Sequence, residues 1–189
     1  MSRRGSKLFV IQKHAASTLH YDFRIQVGRV LRSWAVPKGP STDPRHKRLA
    51  MAVEDHSLGY ARFEGVIESG YGAGTVIVWD IGTYENVTQR DGRRVPITRA
   101  LAGGHAVIEL HGEKLRGGYA LTRVGGGGSA RERWILVKTR DSEADARRNP
   151  VSTQPESVLT GRTIEDVAAE SPPDAAEPQR DEAATSTNS

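Results

Sequence analysis

Thr18-Leu19-His20-Tyr21-Asp22-Phe23-Arg24-Ile25 alternates polar and apolar side chains along its length. A period of two marks a β-strand with one covered face, because successive side chains leave the pleat on opposite sides. Leu19, Tyr21, Phe23 and Ile25 are expected to face a core. His20, Asp22 and Arg24 are expected to share the other face, neighbours at i and i+2 being about 6.5–7 Å apart. An imidazole and a carboxylate placed this way can converge on one cation. An arginine beyond them suits a planar oxyanion.

Working outward, short apolar or alternating runs recur at Lys7–Gln12, Val30–Val36, Arg48–Glu54, Thr75–Asp80, Gly82–Glu85, His105–Leu110, Tyr119–Val124 and Trp134–Thr139. Gly, Pro and Asp punctuate them, and few windows carry a helical period. The expected fold is all-β, an antiparallel barrel of about eight strands. Gly70–Gly74 reads as a tight turn into a strand, and Gly125–Gly128 as a flexible loop.

The 189 residues exceed one typical domain, and their charge is unevenly placed. Residues 1–140 hold 23 Lys and Arg against 12 Asp and Glu, a surplus of 11 positive charges. Residues 141–189 hold 4 against 11, an excess of 7 negative charges. The basic part suits a polyanion, with nucleic acid first, although a solvated basic surface gives the same count. Residues 1–141 are expected to form the barrel domain. Residues 142–189, acidic and rich in Ala, Ser, Thr and Pro, are expected as a disordered tail, with a short helix at residues 163–170 capped by Thr163. The tail reads chiefly as solubilising; a decoy folded over the basic surface is the alternative.

No cysteine is present, which excludes disulfides, thiolate metal sites and a thiol nucleophile. No run of about 18 apolar residues suggests a transmembrane helix, and the N-terminal residues lack the pattern of a secretory signal.

A metal would need His, Asp, Glu or water as ligands. His14, six residues before His20, could return alongside His20 and Asp22. Two imidazoles and a carboxylate suit a catalytic divalent ion. Spacing alone leaves a second reading open, a surface His20–Asp22 pair with His14 in a loop. On the run Arg48–His56, Leu49, Met51 and Val53 are expected toward the core, with Arg48, Ala50, Ala52, Glu54 and His56 opposite. The two alanines would make a shallow substrate floor; a half-exposed edge strand is the alternative. Lys38 and Arg48 supply nearby positive charge, His56 a titratable imidazole and Tyr60 a phenol. No P-loop is present, which disfavours nucleotide triphosphate hydrolysis.

The runs FVIQKHAASTLHYDFRI, LRSWAVPKGPS, KRLAMAVEDHSLGYARFEG and YGAGTVIVWDIGTYE resemble the 3′-phosphoesterase domain of bacterial DNA ligase D, in a stand-alone version. GEKLRGGYALTRV and WILVKTRD extend the likeness more weakly, to coverage of roughly residues 8–141. The resemblance implies a β-barrel and a manganese-dependent activity on 3′ ends of DNA, or of primer strands carrying terminal ribonucleotides. It implies that one step removes a terminal ribonucleoside and another restores a 3′-hydroxyl from a 3′-phosphate, in repair by non-homologous end joining. By motif, His14, His20 and Asp22 match metal ligands. Arg24 and His56 match phosphate contacts, with His56 as proton donor; Lys38 and Arg48 match further phosphate contacts, and Glu54 and Tyr60 match catalytic positions.

Primer–template 3′ ends, the end-joining factor Ku and a separate ligase are the implied partners. A monomer in the bacterial cytoplasm, associated with the nucleoid, is expected. Two departures stand out. The family's acidic N-terminal segment has no counterpart ahead of Asp22, which bears on the ribonucleoside-removing step, and the turn at Ile67–Tyr71 lacks the family's proline and is one residue shorter. A catalytically impaired end-binding module is the competing expectation.

Overall fold

The computed structural model describes residues 6–170. β1 (Lys7–Ala15) pairs antiparallel with β2 (Leu19–Val27), β2 with β3 (Val30–Val36), and β3 with β4 (Arg48–Ser57). β5 (Gly65–Ile67) lies on the edge of β6 (Gly74–Asn86), and β7 (Gln89–Arg90) and β8 (Arg93–Arg94) form a separate small hairpin. A helix α1 (Ile97–Ala102) leads into β9 (His105–His111), β10 (Arg116–Gly127) and β11 (Ala130–Lys138). The sheet continues from β4 through β11, β10 and β9 to β6, and β6 pairs back onto β1, closing a ring of 8 strands. Closure removes free edges from the ring, as the strand-rich sequence requires.

The ring is filled by large side chains. Trp34, Trp79 and Trp134 are fully buried, with Phe9, Phe23, Ile25 and Leu121 among their neighbours in one cluster. The Trp34 and Trp134 rings meet edge to face, with centroids 5.7 Å apart. This packing overturns the expected faces of β4. Ala52 lies opposite Trp34 and Ala50 opposite Trp134, so the alanines are the inward residues that leave room for two indoles. Leu49 points away and is 41% exposed. β4 also carries one extra residue. Leu31 pairs with His56 but Ser33 pairs with Val53, a bulge that turns His56 to the outer side with Met51 and Val53. Leu19, expected inside, is exposed at the start of β2. Gly125–Gly127, expected as loop, belongs to β10 and pairs with β11.

Asp80 fastens the loop between β9 and β10 to β6. Its buried carboxylate accepts the backbone N–H groups of Ile81, Glu113, Lys114 and Leu115 at 2.9–3.2 Å. A carboxylate presents only acceptors, whereas an amide presents N–H donors of its own to such a nest. Asp80→Asn is therefore expected to leave a buried N–H group unpaired and to lower stability by roughly 1–2 kcal/mol in a urea melt.

The barrel does not end the ordered chain at Asp141. α2 (Pro150–Thr153) and α3 (Ile164–Glu170) lie in a strap held against the barrel. Ile164 and Val167 pack on Ile77, with Ala15 at the rim. The Trp79 indole donates to the Gln154 carbonyl at 2.8 Å, and the Lys114 ammonium donates to the carbonyls of Gln154 and Glu156. The Glu64 carboxylate accepts from the Val78 N–H, Ser157, Thr160 and Arg162. Thr163 and Asp166 cap α3 reciprocally, as expected for a helix opening at Thr163. The expected disordered tail is thus corrected over residues 142–170, because the barrel supplies partners that the segment lacks by itself. Residues 171–189 of that expectation lie outside the described residues. No helix among the described residues is long and apolar enough to cross a membrane.

Candidate active site

The site forms on the outer face of β1 to β4, where register sets side chains in rows. His14 on β1 lies opposite His20 on β2. Gln12, Asp22, Ala35 and Met51 make the next row across four strands, and Arg24, Ser33 and Val53 the row after that. The alternation at Thr18–Ile25 therefore does what its pattern demands: Tyr21, Phe23 and Ile25 enter the barrel core while His20, Asp22 and Arg24 stand together outside it.

One oxygen is the hub. Asp22 Oδ2 lies 3.4 Å from His14 Nδ1, 3.2 Å from His20 Nε2 and 3.4 Å from Arg24 Nη2. The two imidazole rings are 4.8 Å apart. His20 Nδ1 lies 3.1 Å from the Thr18 carbonyl. A carbonyl only accepts, so Nδ1 carries the proton there; Nε2, on the Asp22 side, donates to the carboxylate when the ring is protonated and offers its lone pair to a cation when the ring is neutral. This is the usual way a metal-ligating histidine is oriented.

The donor set fits a divalent cation. Ligand atoms of His14, His20 and Asp22 all lie within 4.8 Å of one another. Donors each about 2.1 Å from one ion stand roughly 3.0–3.4 Å apart at octahedral or tetrahedral angles, close to the separations around Asp22. His14 Nε2 is buried without a hydrogen-bond partner, which leaves a polar atom for a ligand to satisfy.

Arg24 is buried and held on every side. Nε donates to Gln12 Oε1 at 2.7 Å, Nη1 donates to Ser33 Oγ at 2.9 Å, and Nη1 also lies 3.1 Å from His56 Nδ1. Gln12 is itself fixed by donating to the carbonyls of Tyr60 and Phe63. The Tyr60 ring lies 5.3 Å from the Arg24 guanidinium carbon and 4.8 Å from the His56 ring, and it stacks on Phe63 at 5.1 Å. Tyr60 comes from a short 3-10 turn, Leu58–Arg62, that follows β4.

The electrostatics follow from this crowding. Burial opposes ionisation of Asp22, but hydrogen bonds from His14 and His20 and the charge of Arg24 outweigh it and hold the carboxyl well below its ordinary value. The hydrogen bond to Asp22 raises the His20 pKa against its burial. Burial, then the charge of Arg24, lowers that of His56. Burial raises the Tyr60 phenol, which keeps its proton as a donor.

A depressed carboxyl pKa means that the unfolded state binds the proton first as pH falls. The stability contributed by Asp22 is present above about pH 4 and is lost as pH falls through the lower folded value. Metal-free wild type should exceed Asp22→Asn in urea-melt stability at pH 6, and the gap should shrink at pH 3.

Six expected site residues, His14, His20, Asp22, Arg24, His56 and Tyr60, come together. The other three do not join them. The Glu54 side chain lies beside the bulge, while its carbonyl meets His56 Nδ1 at 3.0 Å. Lys38 is exposed on the turn after β3 and makes no hydrogen bond or ion pair among the described residues. Arg48 lies opposite the core residue Leu136, and its Nε is buried without a partner. Gln12, Ser33 and Phe63 were not anticipated. Gln12 had a signal, standing two residues before His14 on one strand face; Ser33 and Phe63 had none. A second group, Glu85, Glu109 and His111, lies at the far end of β6, where the imidazole is 3.8–3.9 Å from each carboxylate.

Fold and site together define a closed β-barrel that carries, on its outer wall, a His-His-Asp centre beside a caged arginine. Residues 12–123 match the family described as the DNA ligase D 3′-phosphoesterase domain, and the chain belongs to that family. It is 47% identical over 179 residues to the multifunctional non-homologous end joining protein LigD of Pseudomonas aeruginosa, covering 93% of this chain and 20% of that protein. It is 43% identical over 136 residues to the multifunctional non-homologous end joining DNA repair protein LigD of Mycobacterium tuberculosis, covering 71% of this chain and 16% of that protein. The chain thus spans a fifth or less of the length of these relatives.

Proposed function

We propose that the chain is a manganese-dependent phosphoesterase that converts nucleic-acid 3′-phosphate ends to 3′-hydroxyls in repair by non-homologous end joining. The convergence of His14, His20 and Asp22 beside Arg24 and His56 carries this reading. His14, His20 and Asp22 would hold the divalent ion. When bound, such an ion polarises a phosphoryl oxygen and acidifies a water.

The remaining groups bind phosphate and move protons. Arg24 has five N–H donors; Gln12, Ser33 and Asp22 engage three, and with His56 protonated as the proton donor the other two are open to a phosphoryl oxygen. Gln12, Ser33 and Tyr60 act as positioning residues by fixing its plane. Hydrolysis forms a bond from a water oxygen to phosphorus and breaks the bond to the 3′-oxygen, which needs a proton. Nδ1 of His56 faces the Glu54 carbonyl, leaving Nε2 to supply that proton. The phosphate dianion beside the ring counters the lowered pKa. Glu54 contributes negative charge near His56; Lys38 and Arg48, which stand away from the centre, take no part in this step.

Removal of a terminal ribonucleoside uses the same centre on a phosphodiester. Ku and a separate ligase are the partners this role implies, with the bacterial nucleoid as its location and a monomer as the acting form. Incubation with a 3′-phosphate primer–template and manganese tests the reading by inorganic phosphate release. Absence of release with manganese, magnesium, cobalt or zinc, together with tight, salt-sensitive binding of the same duplex, would favour the end-binding module instead.

A further inference from the structure

The turn at Gly70–Gly74, between β5 and β6, leans over the site. Gly74 has φ of +139°, and a Cβ there would stand 2.1 Å from the Ala15 carbonyl, so β6 starts tight against the strand that carries His14. A Cβ on Gly72 would lie 3.8 Å from His14 Cε1. Tyr71, between Gly70 and Gly72, is 80% exposed, while the other tyrosines of the described residues are buried or half-buried. Its ring is not idle. The Arg131 guanidinium carbon lies 5.6 Å from the ring centroid, and Arg131 Nη2 donates to the Tyr71 hydroxyl. Arg131 comes from β11, two residues before Arg133, which faces Met51 in the row containing Asp22. It also feels the negative charge of Glu54 on β4. Residues from opposite sides of the site therefore meet beside it.

We propose that Tyr71, steadied by Arg131, is the stacking platform for the terminal nucleobase of the strand whose 3′ end enters the metal centre. The proposal rests on the phosphoesterase reading and adds to it what holds the base. A phosphate at the His14–His20–Asp22 centre brings its own nucleoside alongside, and Tyr71 presents an exposed π-face on the turn that meets His14. An aromatic face accepts any base, and an arginine against the ring adds positive charge for the backbone. The surplus of 11 positive charges over residues 1–140 suits the same polyanion.

The test compares two manganese-supported substrates, a 3′-phosphate primer–template with a terminal base and the same duplex with an abasic terminal nucleotide. Wild type should show a KM about 5- to 100-fold lower for the substrate with the base, the range expected of one stacked base. Tyr71→Ala should bring that ratio close to one, Tyr71→Phe and Tyr71→Trp should keep it, and Arg131→Ala should reduce it. A ratio unchanged in Tyr71→Ala overturns the proposal. So does equal loss in Tyr71→Ala and Tyr71→Phe, which would put the effect in the hydroxyl rather than the ring. The same comparison made as Kd by fluorescence anisotropy reads stacking without turnover. Failure of the phosphoesterase reading is thus distinguished from failure of this one.

Discussion

Asp22→Asn is expected to lower manganese-supported phosphate release from a 3′-phosphate primer–template by about 1000-fold or more, equivalent to about 4 kcal/mol of barrier. A single atom explains the size. Oδ2 of Asp22 faces both imidazoles and the guanidinium within 3.4 Å. Asparagine keeps the shape but removes the charge, and a neutral amide is a poor ligand for a hard cation. It also removes the counter-charge of a buried arginine, so some stability is lost. The barrel should survive, because Arg24 keeps Gln12 and Ser33 and the core side of β2 is untouched. Three measurements separate these effects: phosphate release, manganese affinity by calorimetry, and a cooperative melt followed by circular dichroism. Wild-type turnover in a variant that no longer binds manganese would remove the metal centre from the mechanism.

The strand at Thr18–Ile25 is legible because, past the exposed Leu19 at its start, both its faces obey one rule, and the site can be read from it for the same reason. β4 is not legible, for an equally physical cause. Its inward residues are the small ones, Ala50 and Ala52, sized by tryptophans on neighbouring strands, and no property of β4 alone reports those neighbours. Hydrophobicity put Leu49 inside, but volume kept it out. The bulge before His56 could not be seen either, since it exists only as a mismatch between β3 and β4. The two effects offset each other. The sequence puts His56 on the outer face with Ala50 and Ala52; the alanines turn inward, yet His56 stays outside beside Arg24 because the bulge reverses the alternation there. Nothing in the sequence marks the roles of Gln12 and Ser33, because a polar strand residue looks alike whether it meets water or clamps an arginine.

The largest stability effect is expected from cutting the chain after Asp141, where composition places the end of the domain. The strap that follows has few apolar residues, but these are placed where they matter. Ile164 and Val167 cover Ile77, and Ala15, at the edge of that contact, directly follows His14. Burial of such side chains is worth about 1.5–3 kcal/mol each, offset in part by the entropy of ordering the strap. A net loss on the order of 3 kcal/mol would lower the melting temperature by roughly 6–12 °C for a chain of this size. The polar anchors fail together, since Trp79 and Lys114 donate hydrogen bonds to the strap and Glu64 accepts them from it. Metal affinity should fall as well, because the end of β1 that carries His14 loses its cover. A second cut after Glu170 keeps every one of these contacts and should melt with the full chain. Val167→Asp in the full chain should reproduce part of the loss by burying a charge against Ile77. If the chain cut after Asp141 melted with the full protein and bound manganese equally well, residues 142–170 would be a passive covering, and the barrel alone would hold His14 in place.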